Sequence, residues 1–196
     1  MAHQPFYHDN LGTGLRIAQL VGLTSTAFFA GKEFTKSIST VPALAQSPAP
    51  LLAKQWKIQF DADKALAPAV ALFSSGVFGF LAYRDNAWTK TSILYATSST
   101  LLAALIPYTF VLAEPLNKKL ESKERNLASA SITDASAEAG VSKEESTHSL
   151  VENWAAQSFG RFVISAIAAV AATWAAIDRA EVVPATARLA TGANRI

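Results

Sequence analysis

Residues 154–177, WAAQSFGRFVISAIAAVAATWAAI, decide the fold of this chain. Arg161 is the one charged residue in the stretch, and the sixteen residues that follow it carry no charge. As a helix, the stretch rises about 36 Å, more than the roughly 30 Å thickness of a bilayer's hydrocarbon core. Because its surface is mainly Ala, Val and Ile, it favours lipid or other helices over water. The sequence therefore predicts a membrane-spanning helix here.

Three further apolar stretches would give this helix its neighbours. They cover residues 11–31, 66–83 and 91–112. The first is the least apolar, because it carries Arg16 and Gln19 in its first half. A short polar turn at residues 84–86 makes the second and third stretches antiparallel neighbours. We therefore predict an all-α fold, a four-helix transmembrane bundle that forms a single membrane-embedded domain over residues 1–196.

Two long connections join these spans. The first contains several prolines and ends in LLAKQWKIQFDADK, residues 51–64, whose apolar residues recur at helical spacing and predict an interfacial amphipathic helix. The second is a long polar loop between spans three and four, at about residues 118–150, which begins with the charged stretch KKLESKERNLAS and whose first half we expect to be helical. Residues 114–117, EPLN, are expected to close the third span, and Pro107 to kink it near that end. The N-terminal segment lacks the basic region of a signal peptide.

Composition excludes several classes of function. Hydrophobic residues make up 51% of the chain and charged residues 16%, which favours a membrane protein. A net charge of +2 without a basic stripe gives no support to a nucleic-acid partner. The chain has no cysteine, its three histidines have no ligand spacing, and it contains no phosphate-binding loop and no nucleophile elbow. We expect no metal site and no cofactor.

Several polar residues at the ends of the spans have two interpretations each. Arg16 either reaches back to the membrane interface or faces the bundle interior and a polar group of a substrate. Trp154 and Arg161 are either interfacial anchors or parts of a site. Asn117 caps a helix end or donates to a ligand, and Glu114 is either a solvated end charge or a buried acid.

Five short motifs give the chain its likeness to a known family. They are AQLVGL at 18–23, VPALAQSPAPLLAKQW at 41–56, FLAY at 80–83, EPLNKKL at 114–120 and WAAQSFGRF at 154–162. Together they resemble the DUF1772 family, and within it the fungal anthrone oxygenases. That family's pattern has Trp, a polar residue such as Asn four positions later and Arg seven positions later. Here Trp154 and Arg161 match, with Ser158 at the middle position, and Asn117 matches a proline-x-asparagine motif.

The resemblance implies a small membrane enzyme of polyketide pathways that oxidises an anthrone to an anthraquinone with molecular oxygen and no known cofactor. Loss of a proton from the anthrone methylene gives an electron-rich anion, so the protein needs a flat apolar slot, a base and a group that holds an oxyanion. Arg161 is the candidate oxyanion partner, with Asn117 and Gln157 as further donors. Trp154, Trp56 and Tyr108 are candidates for lining the slot, Arg16 for binding a polar substrate group, and Glu114 or Asp178 for the base.

Two other function classes stay open. A non-enzymatic tetraspan scaffold or accessory subunit would use its polar residues for helix–helix hydrogen bonds and would have no ligand-sized cavity. A small transporter would need paired broken helices or a chain of buried acids. The expected partners are membrane lipid, a polycyclic aromatic substrate and O2, with homo-oligomerisation left open. We expect a multi-pass protein of an intracellular membrane such as the endoplasmic reticulum.

Overall fold

The computed structural model describes residues 12–84 and 88–181, with side chains to Asp178, and all regular structure in these residues is helical. In chain order the elements are α1 (Thr13–Thr35), a π-helical turn (Lys36–Thr40), α2 (Val41–Leu44), α3 (Ala49–Asp63), α4 (Leu66–Arg84), α5 (Lys90–Tyr108), a second π-helical turn (Thr109–Ala113), α6 (Glu114–Asn126), a 3-10 turn (Lys143–Glu145) and α7 (Thr147–Glu181). This confirms the all-α prediction. The signal-peptide prediction and most of the turn at 84–86 lie outside the described residues.

Four long helices pack side by side, each antiparallel to its two neighbours. Contacts run from α1 to α4, α4 to α5, α5 to α7 and α7 back to α1, as in a ring. Leu102, Ala168 and Ala172 are fully buried in the common core together with Phe78 and Tyr95. The smallest side chains lie on α7, where the run of alanines lets the neighbouring helices approach closely.

Three helices of the described part of the chain are long and apolar enough to cross a membrane. They cover Ala49–Arg84, Lys90–Asn126 and Thr147–Asp178, which is the character of an integral membrane protein. The first predicted span, now α1, is not among them, because Arg16, Gln19 and three consecutive hydroxyl residues lower its hydropathy. Its outward face nevertheless exposes large apolar side chains, namely Ile17, Leu20, Val21 and Phe28.

Hydroxyl groups join the helices within the bundle. Ser75 donates to the Ser99 carbonyl at 2.9 Å, and Ser99 donates back to the Ser75 carbonyl at 2.8 Å. Ser98 donates to the Ala168 carbonyl on α7 at 3.0 Å. Thr97 and Thr100, by contrast, bond only to carbonyls one turn back on their own helix. The hydroxyl run of α5 therefore serves helix packing.

The two long connections form a second layer over one end of the bundle. In this cap, α3 packs against α6 and α7, and a buried cluster around Trp56 joins them. The sequence predicts that residues 114–117 end the third span, whereas the helix continues through Pro115 to Asn126. A proline crowds the carbonyl four residues before it. The π-helical turn that precedes Pro115 widens the helix at that point and makes room for the ring.

The polar loop is held against the cap by one carboxylate. Glu138 accepts hydrogen bonds from the backbone N–H and the hydroxyl of Thr147, at 2.9 and 2.8 Å, and so caps the start of α7. It also forms an ion pair with Lys123 of α6 at 2.9 Å. The loop thus fixes where α7 begins.

Candidate active site

A cavity of about 230 Å³ lies between the bundle and the cap. It forms where α1 and α5 end and where α4 and α7 begin, so that all four bundle helices and α3 contribute to its wall. Its apolar surface comes mainly from Phe29, Ala71, Leu105 and Ile106. For comparison, an engineered apolar cavity of about 150 Å³ holds one benzene ring. The cavity here is about one and a half times that size.

The cavity opens to one side of the bundle. Lys64, Pro68 and Phe110 line it and are also exposed, whereas Phe29 and Leu105 at its inner end are buried. The opening therefore lies between the first turn of α4 and the π-helical turn that follows α5.

One wall of the cavity is a cluster of charged side chains. Its members are Lys32, Glu33, Lys36, Asp63 and Arg161. Lys36 Nζ lies 2.6 Å from Glu33 Oε1 and 2.9 Å from Asp63 Oδ2. Lys32 pairs with the other oxygen of Asp63, and Arg161 Nε lies 3.3 Å from Glu33 Oε2. Three cations and two carboxylates leave one positive charge in excess, so the wall favours an anion.

The innermost part of this cluster is nearly inaccessible to solvent. Glu33, Lys36 and Arg161 are 1%, 2% and 8% exposed. Charges buried this deeply are costly unless they pair, which the three side chains do with one another. Even so, Glu33 Oε2 and Arg161 Nε each lack a hydrogen-bond partner, because the ion pair between them is not aligned as a hydrogen bond.

Four of the residues predicted from the sequence line this cavity. Arg161 and Asn117 are buried in its wall, and the Asn117 Oδ1 atom has no hydrogen-bond partner. Trp154 is 2% exposed and stacks under the Lys36 ammonium at 4.8 Å from its ring centre. Glu114 lies nearer the opening, 3.5 Å from Lys118, with 42% of its side chain exposed.

Ser158 occupies the middle position of the Trp–x–x–x–polar–x–x–Arg pattern. Its hydroxyl accepts a hydrogen bond from Arg161 Nη2 at 3.2 Å, one turn along α7, and the residue is fully buried. Serine therefore supplies an acceptor to the guanidinium at this position.

The other predicted substrate-binding residues lie away from the cavity wall. Trp56 stacks on Phe60 at 5.1 Å between ring centres and contacts Trp154 edge to face at 6.2 Å. It therefore packs inside the cap and not against the cavity. Gln157 donates to the Leu112 carbonyl at 3.0 Å. Arg16 is exposed on α1, about four turns from the cluster. Asp178, the alternative base, pairs with Lys90 at the opposite end of the bundle.

Tyr108 joins α5 to α7 just beside the cavity. Its hydroxyl donates to the Gln157 carbonyl at 3.0 Å and passes directly over Gly160. A Cβ atom at position 160 would lie 2.4 Å from that hydroxyl oxygen, so any larger residue must push the ring away.

Gly160→Ala is therefore expected to destabilise the protein by about 1–3 kcal/mol, from overpacking and the lost hydrogen bond. Tyr108→Phe, which loses only the bond, is expected to cost about 1 kcal/mol. Thermal unfolding in detergent measures both. A Gly160→Ala variant as stable as the parent would contradict the close approach of Tyr108.

The charged cluster contains four residues that the sequence analysis did not select. Lys32, Glu33, Lys36 and Asp63 lie in stretches that look like the polar ends of helices. One signal was present: Glu33 and Lys36 are three residues apart, next to an apolar run, which is the spacing of an ion pair on one helix face. Asp63 gave no such signal, since only the packing of α3 brings it to α1.

These features together define an integral membrane protein with a lateral cavity that has apolar walls and one charged wall. The chain belongs to the anthrone oxygenase family, whose model matches residues 56–171, and this confirms the resemblance to DUF1772. It is similar to anthrone oxygenase encC of Aspergillus fumigatus, with 26% identity over 149 residues that cover 70% of this chain and 80% of that protein. No solved structure matches the chain.

Proposed function

We propose that the protein is a membrane-bound anthrone oxygenase that converts an anthrone to an anthraquinone and water with molecular oxygen. One observation carries the proposal: a cavity with apolar walls on one side has a buried cluster of three cations and two carboxylates on the other. Family membership and the similarity to a protein named anthrone oxygenase support the same reaction.

The proposed chemistry starts with a proton. Removal of one methylene proton leaves the electron pair delocalised over the rings and the carbonyl oxygen. That anion transfers an electron to O2, and the two radicals combine to give a peroxide at the former methylene carbon. Protonation gives the hydroperoxide, which loses water as its O–O and remaining C–H bonds break, leaving the second quinone carbonyl. One oxygen atom enters the product and the other leaves as water.

Arg161 has the position to hold the oxyanion. Its guanidinium is buried and keeps Nε without a hydrogen-bond partner. A fixed donor in a site that excludes water stabilises a developing charge more than a solvated one. Asn117 contributes a buried amide to the same wall and can bind a phenol hydroxyl of the substrate.

The expected setting is a membrane. A substrate of fused rings partitions into lipid, and the cavity opens at the side of the bundle, near the first turn of α4. We propose that α1 is the fourth span, because its exposed face is apolar and it packs between α4 and α7. An intracellular membrane such as the endoplasmic reticulum, and a role in polyketide metabolism, belong to the same proposal.

A scaffold without enzymatic activity is the second candidate. The serine bonds between helices suit it equally well. It does not explain why a cavity is lined by buried charges, whose desolvation is costly even when they form ion pairs.

A turnover assay separates the two functions. Membranes that contain the protein are given a hydroxylated anthrone under oxygen, and quinone absorbance is compared with that of membranes lacking the protein. The oxygenase predicts quinone formation above this background for at least one member of a panel of anthrones. Folded protein with a background rate across the panel would favour the scaffold.

The pH dependence of turnover follows from Lys36. Burial lowers the pKa of its amine from 10.5 to about 8, although Glu33 beside it raises it. The other charged groups that face this amine are Asp63 from α3, Arg161 from α7 and Lys32 from α1. Below about pH 8 the amine is charged and the cluster has its excess positive charge; above it the charge is lost.

We therefore expect the background-corrected rate to fall as the pH rises through about 8. Lys36→Arg keeps its charge and should remove this fall, which rate measurements between pH 6.5 and 9.5 would show. A corrected rate that rises through the same range in the parent protein would contradict a cationic role for Lys36.

A further inference from the structure

We infer that Glu33 is the catalytic base that removes the methylene proton, and this assignment rests on the proposed function. The base must present an oxygen or nitrogen with a free lone pair to the cavity, at the place where the developing anion is stabilised. Four groups of the described wall carry a carboxylate or an amide oxygen: Glu33, Asp63, Glu114 and Asn117.

Two of these groups are poorly suited. Lys32 holds one oxygen of Asp63, and the other oxygen, which accepts no hydrogen bond, lies 2.9 Å from the Lys36 ammonium. Glu114 stands at the opening and has 42% of its side chain exposed, so water competes for its lone pairs. An amide such as that of Asn117 is too weak a base to hold a proton.

Glu33 has the required geometry. Lys36 occupies only its Oε1 atom, at 2.6 Å, whereas Oε2 is buried and accepts no hydrogen bond. Arg161 Nε lies 3.3 Å from that same oxygen and also lacks a hydrogen-bond partner. A proton acceptor and an oxyanion donor therefore stand side by side in the wall, and neither is held by a hydrogen bond. Residue 33 precedes the matched range 56–171, so the assignment rests on the contacts in this chain.

The step is balanced. The methylene C–H bond breaks, its electron pair stays on the substrate and spreads to the carbonyl oxygen beside Arg161, and the proton bonds to Glu33 Oε2. The same proton returns to the peroxide anion that forms with O2. The carboxylate is then free for the next substrate molecule, and no other oxidant or reductant is needed.

Hydrogen exchange without oxygen isolates this step. Full-length protein in membranes is given an anthrone in D2O under strict exclusion of O2, and deuterium uptake at the methylene is followed by mass spectrometry against membranes lacking the protein. The parent protein is expected to accelerate the uptake. Glu33→Gln, which keeps the shape but cannot take a proton, is expected to lose at least 100-fold in that acceleration and in aerobic kcat, with little change in KM.

Two other variants make the result decisive. Glu33→Asp keeps the carboxylate on a side chain that is one methylene shorter, and it is expected to retain faster exchange than Glu33→Gln. If Glu33→Gln does not fold, the comparison of Glu33→Asp with the parent protein replaces it. Asp63→Asn is the matched control within the charged cluster, and is expected to exchange faster than Glu33→Gln.

The outcomes are distinct. Exchange and turnover by Glu33→Gln at the parent rates would overturn the assignment while leaving the oxygenase intact. Loss of exchange in Asp63→Asn alone would move the base to Asp63. A parent protein that forms no quinone from any anthrone would remove the proposed function, and the assignment with it.

Discussion

Replacement of Arg161 by alanine is expected to lower kcat/KM for quinone formation about 100- to 1,000-fold, the usual cost of removing one oxyanion donor. The variant loses the buried cation nearest to Glu33 Oε2 and the partner of the Ser158 hydroxyl. Arg161→Lys restores the charge but not the planar fork, so an intermediate loss is expected. Background-corrected initial rates in membranes measure both.

A matched control separates chemistry from folding. Lys90→Ala removes another cation that pairs with a carboxylate, here Asp178 at 2.9 Å, at the far end of the bundle. It is expected to leave the rate within about twofold, because exposed ion pairs contribute little. An Arg161→Ala variant that is folded and turns over as fast as Lys90→Ala would rule out the oxyanion role.

The largest loss of stability is expected for Trp56→Ala. Trp56 is 1% exposed and packs between Phe60 and Trp154 in the cluster that joins the cap to α7. Removal of a buried tryptophan costs about 3–5 kcal/mol, from lost burial and the cavity left behind. Thermal unfolding in detergent should show a clear decrease in Tm. Turnover should decrease too, because Trp154 and the Asp63 end of α3 lose their support.

Ile58→Ala is the control for that experiment. Ile58 lies on the same helix, two residues away, but is 73% exposed. Its replacement is expected to change stability by no more than about 0.5 kcal/mol. Equal effects of the two substitutions would mean that α3 does not pack on the bundle through its Trp56 face.

Much of the fold could be predicted from the sequence, because it depends on local composition. The long apolar runs predict the bundle helices, and the amphipathic stretch before Leu66 predicts α3. The charged stretch after the third span predicts a helix, and α6 confirms it. The unbroken join through Pro115 could not be predicted, since a proline ends a helix in most contexts and a π-helical turn accommodates it here.

The site was predicted only in part, for a physical reason. Trp154, Arg161 and Asn117 stand at the ends of apolar stretches, where a polar or aromatic residue is easily recognised as a candidate site residue. All three line the cavity. Glu33 and Asp63 look like solvated end charges. Their burial depends on the contact between the end of α1 and the end of α3, which lie about 30 residues apart in the chain. No local sequence pattern predicts such a contact.

Incorporation of oxygen from 18O2 tests the central claim most directly. Membranes with the protein, an anthrone and 18O2 are predicted to form, faster than membranes without it, a quinone that carries one 18O atom, with the other atom in water. The rate should fall to background with Arg161→Ala. Folded protein that gives no labelled quinone above background, or quinone whose new oxygen comes from water, would contradict the account.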